Sequence, residues 1–324
     1  MSSQLLIIGR EEVARHLTYE VCIPLMKRAM IALSRGETRQ LLRQIIDLGD
    51  GAAFGVMPGA MAEGFGAKLI SVNGENPARG LQSHQGIIAL FDPDTGAPIA
   101  IVHAGEVTAI RTAAATAAAT LALARPDART LAILGTGEQA LTHARALASA
   151  RPLAEIRIWG RSPDRSRALA EDLERTLSLP CSPATTVEEA VEGSDIICAV
   201  TAASEPVLEG AWVTPGVHVN LVGSSRAGPR EADDELIRKS RVFADHREGV
   251  LRQGAEILHA METGLIGEAH VLGEIGEVMA GSIAGRTGAS DITVYKSLGS
   301  IVQDLACSAW LVGAVGKGLL APFG

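Results

Sequence analysis

Leu131-Ala132-Ile133-Leu134-Gly135-Thr136-Gly137-Glu138-Gln139-Ala140 is the stretch that decides the fold. Four apolar residues read as a buried strand, the two glycines as a turn, and Glu138 onward as a helix. This layout holds the pyrophosphate of a dinucleotide. Gly135 permits the tight turn. Gly137 has no Cβ, so backbone can approach a phosphate. Ala140 lets helix and strand pack closely. The helix N-terminus adds orphan N–H donors and a partial positive charge. Small or apolar residues at Ala140, Ala144, Leu147 and Ala148 continue at helical spacing. A GxGxxA string alone is weak evidence; the strand before it and the amphipathic helix after it give it weight. The candidate cofactor contacts here are Gly135, Thr136, Gly137, Glu138 and Gln139.

From Thr130 the pattern alternates strand and helix, which predicts a parallel, doubly wound sheet. The predicted strands are Leu131–Leu134, Ile156–Trp159, Ile196–Val200, Val217–Val222 and Val242–Ala244. The predicted helices include Gln139–Ala150, Pro163–Leu177 and Val187–Val191, with Ser162-Pro163 as a cap and first-turn pair. A last strand and turn lie near 292–299, followed by a helix over 301–315.

The second strand ends in Trp159-Gly160-Arg161-Ser162. A site for NAD usually carries Asp or Glu there to hold the ribose 2′-OH. Gly160 removes that carboxylate. Arg161 supplies charge-assisted bonds to a 2′-phosphate, and Ser162 adds a hydroxyl. This favours NADP(H), with NAD(H) as the alternative if Arg161 is only a solvated turn residue.

Before residue 130 the chain reads differently. Residues 9–35 read as helix. Residues 41–103 read as a mostly antiparallel sheet: a strand over 41–46 containing Arg43, a hairpin segment over 53–58, a strand over 65–72 containing Lys68, then strands over 87–91 and 97–102 about an Asp92-Pro93-Asp94-Thr95-Gly96 turn. Cations inside two successive apolar strands usually point to solvent. A third, Arg111, enters a long Ala-rich helix near its front, where the macrodipole disfavours a cation and a paired anion would relieve it. His84, in the approach to the 87–91 strand, reads equally as a binding-site or a loop residue.

The chain has 324 residues, 47% hydrophobic and 20% charged, with net charge −8. That gives a real core and, as a prior, two domains. An acidic balance lacks the basic footprint of nucleic-acid binding. The four cysteines, Cys22, Cys181, Cys198 and Cys307, form no CxxC pair and suit a reducing cytoplasm. No signal peptide is read at the N-terminus, and the Ala-rich run from Ala113 to Ala124 is too short to span a bilayer. No metal constellation is read: His84, His103 and His143 lack ligand spacing, and no HExxH occurs.

Several blocks together resemble the ornithine cyclodeaminase/mu-crystallin family over nearly the whole chain. They are Ser83-His84-Gln85, Leu90-Phe91-Asp92-Pro93 with Thr95-Gly96, Thr108-Ala109 with Arg111 to Ala114, the 135–140 turn, Val217 to Gly223, and Lys296-Ser297-Leu298-Gly299. The resemblance implies a Rossmann domain (116–299) inserted in a substrate and dimerisation domain (1–115 plus 300–324). It implies a homodimer acting on small α-imino or α-amino acids with a nicotinamide cofactor, and the charge balance and short apolar run add the expectation of no nucleic-acid or membrane partner. By resemblance Arg43, Lys68 and Arg111, with His84, bind the substrate, and its carboxylate falls to the three cations. Thr201, Val222, Gly223, Lys296 and Ser297 join the cofactor contacts, and Lys68 and Ser225 are the catalytic candidates.

Cyclodeaminases of this family carry an Asp soon after the Val-Gly pair. Alignment through Gly223 and Glu231 puts Ser225 there, and a neutral hydroxyl is a poorer base near pH 7. The expectation is therefore NADPH-dependent reduction of a cyclic ketimine, Δ1-pyrroline-2-carboxylate or Δ1-piperideine-2-carboxylate, to proline or pipecolate. The alternatives are a cyclodeaminase, an alanine dehydrogenase or open-chain imino acid reductase, and a crystallin-like binding protein without turnover.

Overall fold

The computed structural model describes residues 5–315, apart from the side chains of Pro77 and Ala78. The chain forms two compact units. One is built from the chain up to Arg111 and from Ser300 onward, the other from Thr112–Gly299. The parts of the expected 1–115 plus 300–324 domain that fall on 1–4 and 316–324 lie outside the described residues.

The first unit begins with β1 (Leu6–Ile8), α1 (Arg10–His16) and α2 (Tyr19–Ser34). The single helix expected over 9–35 is thus two, broken at Leu17 and Thr18. Then come β2 (Arg39–Gln40), β3 (Gln44–Gly49), β4 (Ala52–Met61), β5 (Gly64–Val72), β6 (His84–Phe91) and β7 (Pro98–His103). They form a seven-stranded sheet in the order β1-β7-β6-β5-β4-β2, with β3 also on β4. Every pairing is antiparallel except β1 with β7, a parallel edge strand that the sequence reading missed.

Arg43 does not sit inside a strand. β2 and β3 both pair with β4, and the chain leaves the ladder between them. Leu41 N–H reaches the Pro58 carbonyl at 3.4 Å, but Pro58 has no N–H to return. His84 is not a loop residue either: it opens β6, opposite Val72.

α3 (Ala104–Leu123) carries the chain out of this unit. Residues 109–120 are all buried, so this helix is enclosed on every side, which its run of alanines makes possible. Arg111 is two turns in from Ala104, not in the first turn. The expected conflict with the macrodipole therefore does not arise, since that effect fades within a turn.

The second unit contains β8 (Thr130–Leu134), α4 (Glu138–Ala150), β9 (Glu155–Trp159), α5 (Pro163–Leu177), β10 (Cys181–Pro183), α6 (Val187–Val191), β11 (Ile196–Ala199) and β12 (His218–Leu221). It continues with α7 (Asp234–Lys239), β13 (Arg241–Ala244), α8 (Arg247–Gln253), α9 (Ala255–Glu262), β14 (Val271–Glu274), α10 (Ile275–Met279) and β15 (Thr293–Lys296). The eight strands are all parallel, in the order β10-β9-β8-β11-β12-β15-β13-β14. The order reverses at β8, between β9 and β11, the switch point where such sheets bind ligands. The fully buried strand β11 reads as a continuous apolar run, as strands covered on both faces do, while the equally buried β12 carries the polar residues His218 and Asn220. Strands β10 and β14 are short and were not legible in the sequence.

The chain then returns to the first unit through α11 (Ile301–Val315), which packs on α2 and across β4, β5 and β6. Its approach to β4 requires Gly59, where a Cβ would stand 2.5 Å from Ile301 Cγ2.

Enclosure of α3 leaves no room for larger side chains. Ala117→Leu should destabilise the protein by about 1–3 kcal/mol through overpacking. Thermal and urea unfolding check this; an unchanged midpoint would show that the helix has slack around it.

Candidate active site

In the first unit, β5 alternates its side chains across the sheet, so Lys68 and Ile70 share the buried face. Lys68 is 2% exposed, Arg111 4% and Asp304 0%. Lys68 Nζ donates to Thr108 Oγ1 at 2.6 Å and to Asp304 Oδ1 at 3.0 Å. Arg111 Nε donates to the same Asp304 oxygen at 3.2 Å, and its Nη1 donates to Gln303 Oε1 at 2.7 Å. Gln303 is steadied by its amide contact to Met30 Sδ at 3.1 Å. The anion that Arg111 meets in the protein itself is therefore Asp304.

Two of the three Lys68 ammonium protons are thus engaged by the protein. Arg111 has engaged its Nε and one Nη1 proton. Each cation keeps donor capacity for a ligand.

Arg43 and His84 belong to the same electrostatic field. Burial first, and then Arg111 and Arg43, pull Lys68 down to about 8, while Asp304 pulls the other way. Burial, then Lys68, Arg43 and Arg111, hold His84 at about 4, so its ring is neutral at pH 7. Its Nδ1 lies 2.9 Å from Ser83 Oγ. Burial alone would raise Asp304, but Arg111 and Lys68 outweigh it and hold its carboxyl below the usual range. The unit thus gathers the four predicted substrate residues, Arg43, Lys68, His84 and Arg111, into one field.

Sequence reading missed Asp304, Gln303 and Thr108. Asp304 had left a signal: it is the one charged residue in the mostly apolar run 301–315.

In the second unit the glycine turn sits at the switch point. Gly135 has φ +129°, and a Cβ there would stand 2.9 Å from the Val200 carbonyl. Gly137 opens α4 from extended backbone, and the place of its absent Cβ is open space. Ala140 is fully buried against the sheet. Gln139 Oε1 is buried without a hydrogen-bond partner, and Glu138 is exposed. A glycine cradle, a helix N-terminus and an orphaned amide oxygen fit a dinucleotide pyrophosphate and its neighbouring groups.

Gly160 follows β9, and a Cβ there would meet Thr136 Cγ2 at 2.5 Å. Arg161 is exposed, while Ser162 Oγ caps α5 by accepting from Arg165 N–H. Arg165, which sequence reading passed over, donates from Nη2 to the Thr136 carbonyl at 3.1 Å and ties α5 to the turn.

The loops after β11 and β12 are fastened by another missed residue. Glu231 is fully buried and accepts from Thr201 N–H at 2.6 Å, Thr201 Oγ1 at 2.9 Å and Gly223 N–H at 2.6 Å. Burial raises its carboxyl despite Lys296 and these donors. A Cβ at Gly223 would stand 2.1 Å from the Thr201 carbonyl, so the two loops touch. Val222 is buried and Ser225 half-buried on this loop.

Two of the expected cofactor contacts are buried in the protein's own network. Lys296 is fully buried, paired with Glu256 at 2.7 Å and donating to the Ser224 carbonyl at 2.8 Å. Its charge anchors the loop from inside. Ser297 is buried beside it, its N–H on the Leu221 carbonyl.

These features have counterparts among known proteins. Residues 4–314 match the model of the ornithine cyclodeaminase/mu-crystallin family. The chain is 35% identical to the ketimine reductase mu-crystallin of Mus musculus, covering 93% of this chain and 94% of that protein. It is 35% identical to the Δ1-pyrroline-2-carboxylate reductase of Paracoccus denitrificans, covering 76% and 78%. The solved structure of the Thermococcus litoralis Δ1-pyrroline-2-carboxylate reductase, in complex with NADH and L-proline, superposes with a TM-score of 0.93 at 32% identity, over 98% of this chain and all of that one. A match across the whole of both units, together with the glycine cradle and the buried cation cluster, leaves one conclusion: the chain belongs to the ornithine cyclodeaminase/mu-crystallin family.

Proposed function

We propose that this protein reduces cyclic α-imino acids, Δ1-pyrroline-2-carboxylate or Δ1-piperideine-2-carboxylate, to L-proline or L-pipecolate with NADPH. The observation that carries the reading is the cluster of Arg43, Lys68 and Arg111, two of them buried and each of those two with donor capacity to spare. Such a cluster is matched to a carboxylate. The names of the similar reductases agree with it.

A reduced nicotinamide supplies the hydride. The chain's own residues hold and orient the acceptor. With the carboxylate fixed by the three cations, the adjacent C=N carbon is fixed too, and orientation of this kind lowers the barrier. A protonated imine is already electrophilic, so no strong acid is needed at the carbon. Neutral His84 adds a polar, uncharged ring to the same field. Ser225 offers a hydroxyl where deamination would call for a carboxylate base, which favours net reduction.

NADPH preference rests on Gly160, the exposed Arg161 and Ser162. A carboxylate that would repel the 2′-phosphate is missing, and a guanidinium stands next in the chain. A homodimer rests on the outer face of the first unit's sheet. The register puts Phe65, Leu69, Ile87, Phe91 and Ile101 on the face opposite Lys68 and Ile70. Ile87 is 39% exposed and Ile7, opposite Ile101, is 67% exposed. An apolar face of this kind suits a second copy of the chain. Among the described residues no helix is long and apolar enough to cross a membrane, and the four cysteines stand as free thiols, which suits the cytoplasm.

Purified protein mixed with NADPH and each cyclic imine should consume NADPH, followed by nicotinamide absorbance. Ammonia release from ornithine without NADPH consumption would reverse the assignment. Arg161→Ala should raise the KM for NADPH about tenfold or more, the loss of a charge-assisted contact, and leave that for NADH nearly unchanged; equal effects would remove Arg161 from the 2′-phosphate. Light scattering should give the mass of a dimer for the native chain and of a monomer for Ile87→Glu, whose side chain is exposed within one copy. A dimer of that variant would move the interface elsewhere.

A further inference from the structure

Asp304 stands at the centre of the cation cluster, yet it is the one charged member that does not suit a carboxylate ligand. One of its oxygens, Oδ1, receives both Lys68 Nζ at 3.0 Å and Arg111 Nε at 3.2 Å. The other, Oδ2, is buried with no hydrogen-bond partner. Its backbone is held on α11, where Ser308 Oγ donates to the Asp304 carbonyl at 2.8 Å. A carboxylate in such a place costs several kcal/mol to desolvate, which only its two cations offset.

We propose that Asp304 is a positioning residue for imine reduction: by sharing one oxygen between Lys68 and Arg111 it aims both at the substrate carboxylate and keeps Lys68 in its charged form. This rests on the reductase reading above.

Lys68 has three protons to place. Thr108 Oγ1 takes one and passes its own proton to the Ala104 carbonyl at 2.6 Å, so that hydroxyl is fixed as an acceptor. Asp304 takes the second. With two directions fixed on a tetrahedral ammonium, the third is fixed as well. Arg111 is fixed in the same way: Nε on Asp304 and Nη1 on Gln303 set the plane of the guanidinium, leaving Nη2 on its remaining edge. One carboxylate therefore determines two donor directions at once.

It also decides their charge. The groups that face Lys68 are Asp304 from α11, Arg111 and Thr108 from α3, Arg43 from the segment between β2 and β3, and His84 from β6. His84 is neutral at pH 7, so Asp304 is the only anion in this set. Burial, Arg111 and Arg43 all disfavour the ammonium. Without Asp304 no charge in the set favours it, and only the Thr108 hydroxyl accepts from it. The sign follows: a lysine already brought down to about 8 falls further, and the ammonium is lost at a lower pH.

The test compares kcat/KM against pH for the native enzyme and Asp304→Asn, with Δ1-pyrroline-2-carboxylate and NADPH. The imine titrates too, but identically for both proteins, so a limb that moves belongs to the protein. The alkaline limb should move to lower pH by about one unit or more. The KM for the imine should rise about tenfold or more while the Kd for NADPH, read by nicotinamide fluorescence, stays the same. A uniform loss of activity with an unmoved limb would reduce Asp304 to a packing role and overturn the proposal.

Asp304→Glu keeps the charge and changes the reach. It should leave the limb in place and still raise the KM for the imine; a limb displaced as in Asp304→Asn overturns the charge argument. In a Lys68→Met background, Asp304→Asn should move no limb, and a shift there would show that Asp304 does not act through Lys68. Should the native protein consume no NADPH with any cyclic imine, the reductase reading fails on its own. The positioning role is then read from equilibrium binding of pyrrole-2-carboxylate, a planar cyclic carboxylate. Binding should weaken at lower pH in Asp304→Asn than in the native protein, and identical pH curves would overturn it.

Discussion

Two buried cations sharing one carboxylate oxygen is the interaction on which the first unit depends. Like charges about 4 Å apart repel by about 4 kcal/mol at an effective dielectric of about 20, and burial adds to that cost. Lys68 and Arg111 tolerate one another because Asp304 stands between them. The arrangement remains short of negative charge, with Arg43 also in the field and His84 held neutral. A site built in this way is stable enough to form and still attracts an anion. Complete neutralisation within the protein would leave nothing for a substrate carboxylate to do.

The second unit solves the opposite problem. There two buried carboxylates, Glu231 and Glu256, stand with one ammonium, Lys296, beside them. Glu231 is spent on backbone N–H groups of two loops, and Lys296 on a carbonyl of one of them. The network converts charge into loop position, at the strand ends where a nucleotide lies in sheets of this type. The same residue type, a buried lysine on a strand, thus has different work in the two units. What differs is the second partner: a side-chain hydroxyl within the cation cluster for Lys68, a loop carbonyl for Lys296.

This difference also marks what could be read from the chain. The glycine turn, the Ser162 cap and the alternation of strand and helix after Thr130 are local signals, and the helix over 163–177 emerged with the same ends. Lys68 was legible because a cation in an apolar strand breaks a two-residue pattern. Arg43 was placed wrongly because the missing N–H of Pro58 lies on the partner strand, not beside Arg43. His84 read equally as a binding-site or a loop residue because its pairing partner, Val72, is supplied by another strand. Lys296 was legible as a motif but not as a buried ion, since Glu256 comes from a separate helix. Register and partner choice are properties of the folded sheet, and one strand read alone does not contain them.

Asp304 is the extreme case. It follows Lys68 by 236 residues and Arg111 by 193, after the whole second unit has intervened. Only when α11 docks on β4 to β6 do the two cations acquire their counter-charge. Until then burying either one carries the full desolvation cost, so the sheet's inner face and α11 must be completed together. Insertion of the second unit between a cation and its anion therefore makes the first unit dependent on its own last helix. The lone acid in the mostly apolar helix 301–315 is the sequence trace of that dependence. Such a residue would be selected against on packing grounds alone, and its place here is accounted for by the two cations it joins.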